Sequence, residues 1–115
     1  MEKVPEQCQV EDALSIITGK WKPIILLHLL QEGTQRFNEL KRKMPGVTQK
    51  MLTKQLRELE EEDIIERTIY PEVPPRVEYA MTDYGRSLEP ILEAMHEWGQ
   101  QHTLHKRERQ KQSTS

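Results

Sequence analysis

Cysteine is almost absent: the 115-residue chain has one, Cys8, so no disulfide can close within it and a disulfide scaffold is excluded. Long apolar runs are missing as well. The longest, Pro23 to Leu30, is interrupted by His28 and is too short to span a bilayer. The opening residues, Met1 to Gln7, hold no apolar stretch of signal-peptide length, so the expectation is a cytoplasmic protein with no membrane partner. The sequence shows no internal repeat, Gly/Ser linker, nucleophile elbow, phosphate loop or paired-cysteine motif. No catalytic residue, cofactor or enzyme activity is therefore expected. Excess positive charge is lacking too: 17 Lys and Arg meet 19 Asp and Glu, for a net charge of -2. That argues against a wholly basic nucleic-acid coat but leaves DNA binding open, because the local field decides. Apolar residues make up 35% of the chain, a thin supply for a lone monomer, and burial against a second copy is expected.

What is present reads as one domain over residues 1–105, with a flexible polar tail over 106–115. The first helix spans Val10 to Thr18, with Ala13, Leu14 and Ile17 on one face, and stops at Gly19. A second starts near Lys22, with Pro23 in its first turn, and ends at Gly33; Ile25, Leu26, Leu29 and Leu30 form its apolar face. A short extended link, Thr34 to Arg36, leads to a third helix, Phe37 to Met44, which buries Phe37, Leu40 and Met44. Pro45-Gly46 then turns the chain. Thr48 caps a fourth helix with Met51, Leu52, Leu56 and Leu59 as its inward stripe, ending near Glu62-Asp63. Ile64–Tyr70 and Arg76–Met81 alternate and are β-rich, separated by a proline-stiffened tip. A long last helix, capped by Thr82 or Asp83, runs to about His105; Pro90 either kinks it or marks where its regular part begins. The fold class is α+β and mostly α.

Two short helices about a Pro-Gly turn, followed by a hairpin, give the order of a winged helix-turn-helix with a two-stranded wing. The helix from Thr48 has the two faces such a reader needs. Lys50, Lys54 and Arg57 fall at i, i+4 and i+7, with Gln49 and Thr53 beside them, while the leucine stripe points away. Thr and Gln suit base edges; Lys and Arg suit phosphates and guanine. From Arg36 to Arg57 there are seven basic residues (Arg36, Lys41, Arg42, Lys43, Lys50, Lys54 and Arg57) against one acid, Glu39. Five acids in six residues follow at once, Glu58 to Asp63, and are expected on the side away from DNA. A basic face on an isolated helix is often plain solvated surface; the Pro-Gly turn and the wing favour DNA.

At Gly19-Lys-Trp-Lys22, Arg36-Phe-Asn-Glu-Leu40, Thr48 to Leu59, Val73 to Tyr79, Leu88 to Leu92 and Glu97-Trp-Gly99 the chain resembles the HxlR family of bacterial regulators. The resemblance covers about Cys8 to Gly99. It implies a MarR-like winged-helix fold, a homodimer, palindromic operator DNA, a recognition helix at Thr48–Arg57 and a wing carrying Arg76. Both activators and repressors occur in that family. Cys8 stands where its members often carry a cysteine that senses electrophiles or oxidants. A thiolate is favoured near a helix N-terminus, and Cys8 lies two residues before Val10. The alternative is a small residue packed at a dimer seam. One aldehyde-sensing arrangement has a lysine at the position of Val10, which weighs against that route here.

Leu88, Ile91, Leu92, Met95 and Trp98 recur at three- and four-residue spacing on the last helix. With Leu14 on the first helix, they are the expected dimer interface. His96, His102 and His105 form a weak metal-site pattern, and no metal site is expected. A protein-interaction module, or a sensor of a small ligand or metal without thiol chemistry, is the alternative function.

Overall fold

Glycine, proline and short polar caps set the element boundaries in the computed structural model, which describes residues 9–114. The order is α1 (Gln9–Ile17), α2 (Lys22–Glu32), β1 (Gln35–Arg36), α3 (Phe37–Lys43), α4 (Gln49–Glu61), β2 (Ile65–Tyr70), β3 (Arg76–Met81), a 3-10 turn (Gly85–Leu88) and α5 (Glu89–Thr114). Gly33 ends α2 at φ 81, its N–H donating to the Leu29 carbonyl at 3.0 Å. Gly46, at φ 90, carries the chain from α3 into α4. Thr48 Oγ1 then accepts from the Met51 N–H at 3.0 Å and caps α4.

The core gathers Ile17, Trp21, Ile25, Leu26, Leu29, Leu40, Met44, Val47, Leu52, Leu56, Leu59, Ile64, Ile65, Met81 and Leu92. It draws on every helix, so α3 and α4 are held against α2 from behind and leave their other faces to solvent. Trp21 lies under the α3–α4 turn, 3.9 Å from where a Gly46 side chain would begin. The sheet is antiparallel in the order β1-β3-β2. Its hairpin is in register from Ile65↔Met81 to Tyr70↔Arg76, and Gln35↔Tyr79 and Arg36↔Glu78 add the short third strand. The expected two-stranded wing is thus present, with the link before α3 paired onto it.

Several expectations shift. Phe37 and Leu30 are half-buried, and Met51 is exposed, because Leu52, Leu56 and Leu59 alone fill the inward side of α4. Pro90 stands at the start of the regular last helix, after a 3-10 turn. That helix continues to Thr114 rather than stopping near His105, so residues 106–114 of the expected tail are helical. Among the described residues, no single helix is long and apolar enough to cross a membrane.

The junction between hairpin and last helix is tight. Thr82 Oγ1 donates to the Asp63 carbonyl at 2.6 Å and accepts from the Gly85 N–H at 2.8 Å. The Thr82 N–H donates to the Ile64 carbonyl at 3.1 Å.

Candidate nucleic-acid interface

α4 is divided lengthwise. Leu52, Leu56 and Leu59 are at most 1% exposed, whereas Gln49, Lys50, Lys54 and Arg57 are exposed and Thr53 is half-buried. Gln49, Lys50, Thr53, Lys54 and Arg57 line one side-chain groove of about 730 Å³ with Glu58 and Glu61. The first two turns of α4 therefore offer amides, hydroxyls and ammonium groups together. The acids of the run Glu58 to Asp63 do not all lie on the far side, as expected, because Glu58 and Glu61 close the groove at its C-terminal end. Glu58 is turned toward α2, where Lys22 Nζ reaches its carboxylate at 2.9 Å. That hydrogen bond outweighs partial desolvation and holds the Glu58 carboxyl below its ordinary range.

On α3, Lys41 and Arg42 are exposed, and among the described residues no ion pair holds either. Lys43 is committed elsewhere. Its ammonium donates to Gln35 Oε1 at 2.7 Å and lies 3.1 Å from Glu32, tying the end of α3 to β1 and to the end of α2. Gln35 is buried, so Lys43 satisfies a polar group inside the fold. Lys43, followed by His28 at 2.8 Å, keeps the Glu32 carboxyl low. Arg36 is exposed and starts α3; its N–H donates to Glu39 Oε1 at 2.7 Å.

Arg76 is folded back along the wing. Its guanidinium lies 3.5 Å from Glu72 and 3.4 Å from Glu78, and its Cζ stands 4.1 Å from the centre of the Tyr70 ring. The Glu78 contact is electrostatic, since Arg76 Nε makes no aligned hydrogen bond. Between this hairpin and the start of α3 runs a groove of about 810 Å³, with Arg36, Asn38 and Arg42 on one bank and Val73, Pro74 and Arg76 on the other. Val73 at the tip is fully exposed. Sequence reading missed it, although a lone aliphatic residue in a loop with prolines at 71, 74 and 75 was the visible signal.

The residues expected at a dimer seam separate into two sets. Leu14, Ile91, Met95 and Trp98 are exposed at 41%, 46%, 45% and 65%, and Leu88 is half-buried. Leu92 instead fills the chain's own core at 3% exposure, so it has no surface to give a partner. Trp98 stacks on His102 with centroids 5.0 Å apart, and His102 on His105 at 6.3 Å, extending the exposed stripe toward the C-terminus. Cys8 lies outside the described residues. Among the described residues, no group of three His, Cys, Asp or Glu is placed to hold a metal ion. Burial pushes the Tyr79 phenol, beside β1, above its ordinary value.

A sequence model described as HxlR-like helix-turn-helix matches residues 16–107. The Bacillus subtilis protein YtcD, an uncharacterised HTH-type transcriptional regulator, is 54% identical over 102 residues, covering 89% of this chain and 80% of that one. Among solved structures, the redox regulator HypR in its reduced form superposes with a TM-score of 0.79 at 50% identity, covering 83% of this chain and 93% of that chain. Its oxidised form gives 0.76 at 52% identity, covering 82% and 96%.

Proposed function

The chain belongs to the HxlR-like helix-turn-helix family of transcriptional regulators, and we propose that it acts as a homodimer on a two-fold operator, with α4 as the recognition helix. The observation that carries this reading is the exposed row of Gln49, Lys50, Lys54 and Arg57, backed by the buried leucines that fix its direction. In the proposed complex, two copies of α4 enter successive major grooves about 34 Å apart. Thr48, Gln49, Lys50 and Thr53 face base edges. Lys41, Arg42 and Lys54 hold phosphates, with Arg36 and Arg57 at the margins. Lys43 supports this surface through Gln35 and Glu32 rather than by contact. The exposed row Leu14, Ile91, Met95 and Trp98 is the proposed dimer surface, with Leu88 at its edge. No catalytic role or cofactor is proposed, and the proposed location is the cytoplasm.

The signal is proposed to arrive at Cys8, and the likeness to a redox regulator with separate oxidised and reduced forms supports this. With one cysteine in the chain, oxidation joins Cys8 to the partner copy's Cys8, or to a small thiol, as two thiols give two electrons and two protons to the oxidant. A small electrophile would instead alkylate the thiolate.

Footprinting on the chain's own upstream DNA, under reduced conditions and after a thiol oxidant, tests both parts. The reading expects a two-fold protected site that changes on oxidation in the wild type and not in Cys8→Ser. Retention of the full response by Cys8→Ser would remove the sensing part. Combined Lys50→Ala and Lys54→Ala should abolish protection, and unchanged affinity would remove α4 as the reader. A protein-interaction module would bind no DNA and would keep its partner in Lys50→Glu with Lys54→Glu.

A further inference from the structure

The tip of the wing has few polar groups to offer a nucleic acid. Pro71, Pro74 and Pro75 carry no N–H, and the Glu72 N–H is already spent on the Tyr70 carbonyl at 2.8 Å. Arg76, the cation that wing sequences lead one to expect at DNA, is held between Glu72 and Glu78 and laid over Tyr70. Reaching a phosphate would mean giving up two carboxylates and an aromatic face. Glu72 would also approach the phosphates as a like charge. What remains at the tip is Val73, a fully exposed residue next to two pyrrolidine rings. An aliphatic group left wholly in water on a proline-stiffened loop has a contact surface and little conformational freedom to lose. The same loop forms one bank of the groove whose other bank carries Arg36 and Arg42. A duplex backbone lying in that groove would bring the tip over a minor groove.

We infer that the wing engages DNA as an apolar wedge: Val73, with Pro74, enters the minor groove flanking each half-site, and Arg76 is a positioning residue that stiffens the loop. This inference rests on the DNA-binding reading above and names a specificity determinant within it. Wedges of this kind read groove width and the ease of unstacking a base step, not the hydrogen-bond pattern of the bases. Preference at the flanks should therefore favour flexible pyrimidine–purine steps without any base-edge contact.

The test uses the full-length chain and a duplex that the wild type selects from a random-sequence pool. Val73→Ala, which removes two exposed methyl groups and leaves the fold intact, should weaken binding roughly ten-fold. It should leave the salt dependence unchanged and flatten the flanking-step preference. Arg76→Ala should also weaken binding with an unchanged salt slope, and should add little in the Val73→Ala background. Arg76→Lys should restore less than half of the lost affinity, since lysine lacks the planar stacking and the fork. A loss of about one from the salt slope in Arg76→Ala would mark Arg76 as a phosphate contact and overturn the inference. Equal binding by Val73→Ala and the wild type would also overturn it, while leaving α4 as the reader. If the wild type selects no duplex at all, the DNA-binding reading fails and the wedge goes with it.

Discussion

A Cβ added at Gly85 would stand 2.1 Å from the Ile64 carbonyl oxygen and 3.0 Å from the Met81 methyl. The backbone contact has no flexible end that could yield, so the 3-10 turn would have to lift from the hairpin. Gly85→Ala should cost about 3 kcal/mol in urea unfolding, at the upper end of overpacking penalties. Alanine at Gly99, where nothing lies within 4 Å, serves as the neutral control. The Glu58 carboxyl titrates below its ordinary 4.5 in the folded chain, first because Lys22 donates to it. A carboxyl depressed by folding contributes stability that is present above its unfolded pKa and lost as pH falls through the folded one. Stability should therefore decline below about pH 4.5, and Lys22→Met should make that decline shallower, losing a little stability near neutrality and converging on the wild type in acid. Lys22→Met leaving the acid limb of the stability profile untouched would rule out this assignment. Side-chain fates of this kind were poorly legible in the sequence. Lys43 and Arg76 counted as DNA-facing cations from their position in the chain, but Lys43 meets Glu32 of α2, and Arg76 meets Glu72 and Glu78 of its own hairpin. Spacing along α3 carries no information about Glu32, whereas Glu78, two residues along the same strand as Arg76, was a legible neighbour.

At the scale of elements the sequence was informative, because each helix carries its own stop and start. Gly33, Gly46 and the Thr48 cap stand where the chain turns, and the leucine stripe of α4 was readable from its period. The last helix was harder. Its row of Leu88, Ile91, Leu92, Met95 and Trp98 looks like one stripe, yet at 100° per residue neighbouring positions such as 91 and 92 face different ways. Leu92 turned inward and Ile91 outward, and pattern alone cannot divide a helix that packs on two sides. This division predicts two different failures. Leu92→Ala should lower the unfolding free energy by about 3 kcal/mol, as a core cavity does. Trp98→Glu should leave the isolated protomer's secondary structure unchanged by circular dichroism and shift sedimentation from dimer to monomer. A Trp98→Glu protein that still sediments as a dimer would place the interface elsewhere.

For the whole molecule, the fold class follows from the element order, while the quaternary arrangement depends on surfaces that one chain leaves open. The molecule spans 62 × 45 × 23 Å, and α5, at 26 residues, runs roughly 39 Å at 1.5 Å per residue. In the proposed dimer, two copies joined along α5 would set their α4 helices about one turn of DNA apart, near 34 Å. Inserting five base pairs between the half-sites should abolish binding, and inserting ten should restore much of it. Equal affinity for all three duplexes would argue for independent protomers. One carbonyl, that of Ile64, sits three residues beyond the end of α4, at the root of the hairpin, and takes the Thr82 N–H just before the turn into α5. In the proposed dimer, reader, wing and dimer rod are thus geared together at a single axle. Torque on α5 from a partner copy would there reach both proposed DNA-facing parts at once. Any signal that turns the rod, wherever it is sensed, would move reader and wing together.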